Sequence, residues 1–552
     1  MLSGKKKLKK ELVNAEITVF ERSGYISYAN CGLPYYIGDV ITDPEELTLQ
    51  TPESFFKRFH INMKIHHEVI SIHPDRKTVS VKNLENGEIF EENYDKLILS
   101  PGAKPTQPRL SGVGIDKLFT LRTVEDTFRI KKYINKNHPK SVVLAGGGFI
   151  GLELAENLRE LGMDVTIVQR PKQLMNPFDP DMASMIHNEM RKHGIKLVLG
   201  YTVEGFKGKD NGVEILLKDN PSLQADMVVL AIGVTPDTAL AKEAGLELGI
   251  KGSIVVNDRM ETSVPDIYAA GDAVQVKHYV TGDDALISLA GPANKQGRII
   301  ADNICGGDSR YLGSQGSSVI KVFDMTAATT GINETNAKKS GLEVDTVILS
   351  PMSHAGYYPG GKVMTMKVVF EKETYRLLGA QIIGYEGVDK RIDVLATAIH
   401  AGLKATQLKD LDLAYAPPYS SAKDSVNMAG FMIDNIAKGT LKQWHLEDMD
   451  RISKDKNAVL LDVRTVGEFS RGHINGFKNI PVDELRERIN EVEKGKPVYL
   501  ICQSGLRSYI ASRILEGNGY ETYNFSGGFR FYDAVVNDRA LIERAYACGM
   551  DY

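Results

Sequence analysis

Apolar residues occur in short runs along the chain, each closed by an acid, a glycine or a turn residue. The rhythm predicts strands alternating with helices. Residues 16–22 (E-I-T-V-F-E-R) read as a buried strand ending in an acid, Glu21, and residues 5–13 as the back half of a helix before it. From residue 55 to 81 the pattern runs on as short strands and turns, with Lys57 and Arg58 forming a small basic cluster on a solvated face. Residues 94–100 make a strand that enters the sharp turn Pro101-Gly102-Ala103. The strongest stretch comes next: an apolar strand Ser141–Ala145, then G-G-G-F-I-G, a helix over 152–161 and a strand over 165–168. Further strands fall at 226–233, ending on Gly233, and at 262–272, ending on Gly271-Asp272, with a helix opening within 289–298. After a composition shift near 439–450, strands are predicted at 458–464 and 497–501 and a helix at 509–515.

Two loops in this pattern carry candidate chemistry. Gly146, Gly148 and Gly151 form G-x-G-x-x-G inside a complete βαβ context, which lets backbone approach a pyrophosphate at a helix N-terminus. At the end of the second strand, where NAD specificity normally places Asp or Glu, stand Gln169 and Arg170. Glutamine can bond a ribose 2′-hydroxyl and Arg170 can accept a 2′-phosphate, so NADH and NADPH both stay open, with NADH ahead. The other loop, S-Y-A-N-C-G-L-P-Y-Y at 27–36, puts Cys31 after a strand and ahead of a helix. Turn amides and a helix N-terminus there should lower its pKa toward the reactive thiolate. The alternative is a small buried filler.

Composition narrows the class. The chain has 552 residues, 42% hydrophobic and 25% charged, with a formal net charge of −4. Three or four domains are expected, and nothing points to nucleic acid or a membrane surface. No apolar run approaches the roughly 18 residues of a membrane span. The basic start at 5–10 has no apolar stretch after it, so it does not read as a signal peptide. Four cysteines in so long a chain do not make a disulfide framework, and a cytoplasmic protein is expected. No metal is expected.

Further on, residues 502–508 read C-Q-S-G-L-R-S between a strand and a helix. Successive amides of such a loop form an anion nest at a helix N-terminus. Arg507 adds positive charge, so Cys502 should be a thiolate able to carry a persulfide. His473 reads as structural, as do Cys305 and Cys548, which have no motif around them.

In this order the motifs resemble the two-dinucleotide-fold flavoprotein disulfide reductases of the pyridine nucleotide-disulfide oxidoreductase class, over residues 11 to about 440. Within that class N-C-G-L-P-Y-Y resembles the coenzyme A-disulfide reductase branch, and the segment around Cys502 resembles a rhodanese domain. The implied fold is α/β. It has two Rossmann-like dinucleotide-binding domains (FAD over 1–110 and 245–310, NAD(P)H over 111–244), an α+β dimerisation domain over 311–440, and an α/β rhodanese domain over 446–552. The implied cofactor contacts are Glu21, Arg22, Gly102, Gly146, Gly148, Gly151, Gln169, Gly233, Gly271, Asp272, Ala290 and Asn294. The loops H-A-G-Y-Y-P at 354–359 and Y-A-P-P-Y-S-S-A-K-D at 415–424 read bare as aromatic turns. The resemblance implies that Tyr357 and Tyr415 reach a partner subunit's active site in a homodimer. It also implies that Lys423, Ser27, Asn30 and, more weakly, Arg58 meet a coenzyme A-type thiol substrate.

Disulfide reductases of the glutathione type use a C-x4-C pair, but the position four after Cys31 is Tyr35. Cys31 must therefore pair with an external sulfur or cycle through sulfenic acid. The leading expectation is an FAD-dependent NAD(P)H reductase of coenzyme A disulfide, coenzyme A persulfide or polysulfide, with Cys31, Cys502, Tyr357, Tyr415 and Arg507 as the catalytic set. The alternatives are an NADH oxidase or peroxidase, against which the sulfur-carrying Cys502 loop argues, and a flavin-poor sulfur carrier. Upstream of Glu21, only Ser3-Gly4 stands where a first glycine loop belongs. The expectation is a reading frame that starts too late, and a protein from Met1 that is poorly soluble or substoichiometric in flavin.

Overall fold

The structure, a computed structural model, describes residues 15–106, 108 and 110–547, without the side chains of the last three. The expected helix at 5–13, the Ser3-Gly4 pair and Cys548 lie outside the described residues. The chain divides into two compact units, one of residues up to Lys172 with Gly194–Gly316, the other of Gln173–His193 with residues from Ser317 on.

In the first unit an all-parallel sheet runs in the order Lys196–Leu199, Asp164–Gln169, Ser141–Ala145, Met227–Leu230, Leu118–Thr120. Its central strands are continuous apolar runs because both faces are covered, as a parallel sheet requires. The helices Val124–Asn137 and Phe149–Glu160 belong to its crossovers. A second part holds two parallel strand pairs, Ile17–Glu21 with Ile61–Ile65 and Leu97–Leu99 with Ile267–Ala269. It adds an antiparallel meander, His67–His73, Thr78–Asn83 and Ile89–Asn93. Its core gathers Ile254, Ile267, Ala269, Val274 and Ile300.

Two expectations fail here. The strand at 17–21 is not buried: among the described residues it pairs on one side only, and Ile17 is 44% exposed. Residues 55–59, expected as strand and turn, belong to the helix Pro52–Phe59. Its start is strongly encoded: Thr51 caps it, Pro52 sits at the first position, and Thr51 and Ser54 make a reciprocal capping box.

In the second unit a five-stranded antiparallel sheet runs Ser318–Val322, Met325–Gly331, Leu377–Gly384, Met364–Glu371, Val344–Leu349. The helices Val388–His400 and Ser425–Ala437 accompany it. A parallel sheet follows in the order Gln443–Trp444, Thr522–Phe525, Val498–Ile501, Val459–Asp462, Lys478–Asn479. Buried Trp444 donates to the Leu500 carbonyl and locks its first strand in place. The helix Pro180–Lys192 belongs to this unit. On it, buried His187 meets Asp538 of the helix Gly528–Ala547 at 2.8 Å. Lys367, almost fully buried, faces Asp181, Asp179 and Glu334 at 2.8, 3.2 and 2.7 Å. Burial disfavours the ammonium, but three carboxylates outweigh it and hold the lysine charged.

Candidate functional sites

The glycine loop is built as its spacing predicts. Gly146 has φ +120, and a Cβ there would lie 2.2 Å from the Ala231 carbonyl oxygen. A Cβ on Gly151 would strike the Gly146 carbonyl at 2.1 Å, so this glycine lets the helix start close against the strand end. Gly148 caps the helix Phe149–Glu160 with no side-chain bond, and the space beside it is open. The first-turn amides are thus left for an anion, and the loop fits a dinucleotide pyrophosphate. Gln169 braces the loop: its carbonyl oxygen accepts from the Gly147 amide at 3.0 Å.

The turns expected to hold the flavin are joined by a residue that sequence reasoning missed. Arg122 donates to the Ala103 carbonyl at 3.1 Å and to Asp272 at 2.8 Å, tying the Gly102 turn to the Gly271-Asp272 turn. Buried Gln296 accepts from the Gly271 amide at 2.8 Å, which sets Gly271 beside the helix Ala290–Ile304 carrying Ala290 and Asn294. Gly271 has φ +83 with open space where a side chain would stand, as a cradle for a bound group requires. Glu21 accepts from the Ser23 amide at 2.7 Å, and Arg22 pairs with Asp237. Gly233 accepts from the Thr106 amide, closing its turn beside the strand Ala103–Pro105.

Cys31 sits in the 3-10 turn Asn30–Gly32, ahead of the short helix Leu33–Ile37. The residue is exposed, yet its thiol is pushed above the ordinary value. Partial burial of the sulfur is the main cause; the Glu153 carboxylate adds to it, and Arg122 acts in the opposite sense without prevailing. The expected lowering by a helix N-terminus does not prevail: the helix has only five residues, and burial and Glu153 outweigh it. Glu153 was not anticipated. Burial, with Glu156 beside it, pushes its carboxyl to about 7. The same surroundings push Tyr35 to about 12. Its segment packs tightly on the helix of Glu153: a Cβ on Gly38 would overlap Asn157. Ser27 is half-buried, Asn30 and Arg58 are exposed, and Arg58 lies over the Phe59 ring.

In the second unit the two aromatic loops meet. The hydroxyls of Tyr357 and Tyr415 are 2.7 Å apart, and both residues are exposed. Buried Arg391 holds the loops in place, bonding Asp424 at 2.9 Å and the Ser353 carbonyl at 2.9 Å. Burial favours the neutral acid, but the bonds from Ser420, Val426 and Arg391 prevail and keep Asp424 ionised. The hydrogen bond to Tyr357 raises the Tyr415 pKa, so its phenol keeps its proton. Lys423 is exposed in the same loop.

Cys502 ends the strand Val498–Ile501 and is fully buried. Its sulfur accepts from the Gly505 amide at 3.1 Å and from the Ser508 hydroxyl at 3.2 Å. Gly505 has φ +100, which turns its N–H back onto the sulfur ahead of the helix Leu506–Glu516. Arg507 departs from expectation. Both its terminal nitrogens bond the two Glu468 oxygens at 2.7 Å, so its charge is neutralised in place. The Arg507 bonds hold Glu468 down to about 2. His473 is exposed, with Nδ1 3.1 Å from the Phe469 carbonyl oxygen and its ring stacked on Phe469.

A βαβ glycine loop, a lone-cysteine turn and a buried nest cysteine define the class. Residues 3–297 match the pyridine nucleotide-disulphide oxidoreductase family, residues 317–426 its dimerisation domain and residues 445–534 the rhodanese-like domain. The chain belongs to the pyridine nucleotide-disulphide oxidoreductase family, which implies FAD and NAD(P)H as cofactors. Among its relatives, the coenzyme A disulfide reductase of Staphylococcus aureus is 38% identical over 419 residues, 76% of this chain and 93% of that protein. The reduced CoADR-RHD of Bacillus anthracis superposes with a TM-score of 0.93 at 47% identity, covering 96% of this chain and 94% of that one. An NAD-dependent persulfide reductase from A. fulgidus gives 0.88 at 37% identity, covering 94% and 96%. Among the described residues no helix is long and apolar enough to cross a membrane.

Proposed function

We propose that this chain is a homodimeric, FAD-dependent NAD(P)H reductase of coenzyme A-type disulfides and persulfides, with a sulfur-carrying rhodanese domain. The observation that carries the reading is the solitary Cys31 in its turn, with Tyr35 where a second thiol would stand. A lone thiol that works by disulfide exchange has to find its partner in the substrate, and the sulfur-carrying Cys502 loop favours that route over a sulfenic acid cycle. FAD, when bound, takes hydride from the nicotinamide and delivers the electron pair to sulfur. Gly146, Gly148 and Gly151 would hold the nicotinamide dinucleotide's pyrophosphate, and Asp272, held by Arg122, would bond the flavin's polyol. The Cys31 thiolate attacks the S–S bond of RS–SR, forms Cys31–S–SR and releases one thiol. Tyr357 and Tyr415 of the partner subunit deliver the proton to the leaving sulfur. Overall, RS–SR, NADH and a proton give two RSH and NAD⁺; a persulfide gives RSH and hydrogen sulfide. Ser27, Asn30 and Arg58 line the way in, and Lys423 of the partner subunit helps hold the thiol substrate.

The test is steady-state NADH oxidation with coenzyme A disulfide, coenzyme A persulfide, polysulfide and oxygen compared side by side. Sulfur acceptors should dominate, and an enzyme that turns over fastest with oxygen overturns the reading.

A further inference from the structure

Cys502 sits among charges that cancel. Two of the guanidinium groups beside its loop, those of Arg507 and Arg464, are each closed in an ion pair. Arg507 is held by both oxygens of Glu468, and buried Arg464 by Asp462 at 2.7 and 2.9 Å. Arg464 also reaches the Gln503 side chain of the loop at 3.4 Å and lies over the Phe529 ring at 3.8 Å. Glu468 is fixed from its own helix as well, accepting from the Thr465 amide at 3.0 Å and the Thr465 hydroxyl at 2.9 Å. With its carboxyl held near 2, the pair stays closed at any physiological pH. Arg530, whose amide bonds the Gln503 carbonyl, is exposed, outside the buried shell of the two pairs.

The residues flanking the Glu468–Arg507 pair in sequence are apolar and open. Val466 and Leu506 are each 63% exposed, and Ile510 follows Leu506 one helical turn on at 41%. A small dianion leaves water only for a site that offers uncompensated positive charge. An uncharged organic arm gains from an apolar rim.

We infer that Cys502 takes its sulfur from an organic persulfide, R–S–SH, whose arm is uncharged next to the sulfur, and that Glu468, by neutralising Arg507, excludes small dianionic donors such as thiosulfate. In the transfer the Cys502 thiolate attacks the outer sulfur of R–S–SH. One S–S bond breaks, Cys502–S–SH forms and RS⁻ leaves, with no net oxidation. The Gly505 amide and Ser508 hydroxyl stabilise the sulfur anion before and after. The inference rests on the reading of Cys502 as a sulfur carrier, and it gives Glu468 the task of setting donor specificity.

The test is cyanide-linked sulfurtransfer by the full chain, with no nicotinamide present, using pantetheine persulfide and thiosulfate as donors. In the unaltered chain, kcat/KM for the persulfide should exceed that for thiosulfate by about a hundredfold or more. Glu468→Gln keeps an oxygen for Thr465 but frees the Arg507 charge, and should shift the donor ratio toward thiosulfate by about tenfold, mainly through KM. The shift should shrink as salt is raised. Adding Arg507→Gln to Glu468→Gln should abolish it. Thiosulfate used as well as the persulfide by the unaltered chain, or a donor ratio untouched by Glu468→Gln in a variant that still transfers sulfur, overturns the inference. A Glu468→Gln chain that transfers no sulfur from either donor does so as well. Because no NADH enters this assay, a failed reductase reading leaves it unaffected.

Discussion

The two cysteine loops solve the thiolate problem in opposite ways. Cys31 is exposed, in a turn whose helix is too short to help it, and its surroundings hold the thiol up. Cys502 is sealed in, yet a backbone amide and a hydroxyl already point at its sulfur. A loop that carries sulfur, as proposed for Cys502, can build its anion site from one backbone amide and one hydroxyl of its own. In the proposed reductase role, Cys31 has its charge disfavoured by partial burial and Glu153, so its thiolate depends on groups outside its own turn. The lesson is that a reactive cysteine is recognised by its donors when it works alone and by its loneliness when it works in a relay.

The largest effects come from breaking each half. Cys31→Ser should lower NADH-linked reduction of coenzyme A disulfide by about a thousandfold or more while sulfurtransfer persists, because no other thiol stands in its turn. Cys502→Ser should do the reverse, removing sulfurtransfer and sparing reduction of small free substrates. Parallel assays of both activities on both variants decide it, and joint loss in either variant would mean one obligate relay.

A step smaller is Gly146→Ala. The new methyl would sit 2.2 Å from the Ala231 carbonyl oxygen at a φ of +120 that alanine avoids. The strand end must shift, at a cost of about 2–4 kcal/mol. Thermal unfolding should fall by several degrees and KM for NADH should rise, with sulfurtransfer at Cys502 unchanged. A normal KM would place the nicotinamide elsewhere.

Glu153 gives a pH test of the Cys31 side. Its carboxyl is raised to about 7 by burial, so the folded state binds a proton that the unfolded chain releases near 4.5. Stability from this group is therefore complete below about pH 4.5, falls as pH rises, and is fully lost above 7. Glu153→Gln removes the penalty. Relative to the unaltered chain it should be more stable at pH 8 than at pH 5, by about 1–3 kcal/mol. Melting temperatures at the two values give the answer, and a difference that does not grow with pH refutes the burial account.

Short-range signals were legible. The βαβ glycine loop, the Cys502 loop and the Tyr-rich turns lie where their spacing puts them, because a few consecutive residues dictate each. What stayed hidden was chosen by partners far along the chain. Arg122 reaches Asp272 across 150 positions and Glu468 reaches Arg507 across 39, and neither has a local pattern to announce it. Glu153 reads as an ordinary helix-face acid until the turn at Gly38 closes on its helix. The missed helix at 52–59 is a different failure: its capping box was visible in T-P-E-S, but the chain from residue 55 on was read as short strands and turns.

The smallest expected effect concerns Gln169, and it separates two roles that the sequence merged. Its carbonyl oxygen is committed to the Gly147 amide, so part of its work is bracing the loop and only its side-chain amide N–H groups remain to bond a ribose. The substitution Gln169→Glu would keep that brace, since a carboxylate oxygen accepts from the same amide. The second carboxylate oxygen would accept from a 2′-hydroxyl and repel a 2′-phosphate, while Arg170 next to it offsets part of the repulsion. The ratio of kcat/KM for NADH over NADPH should therefore rise by about tenfold, with the NADH value itself nearly unchanged. Gln169→Ala loses the brace as well and should weaken both nucleotides together. If Gln169→Glu leaves the ratio untouched while Gln169→Ala weakens both, the residue holds the glycine loop and does not read the ribose.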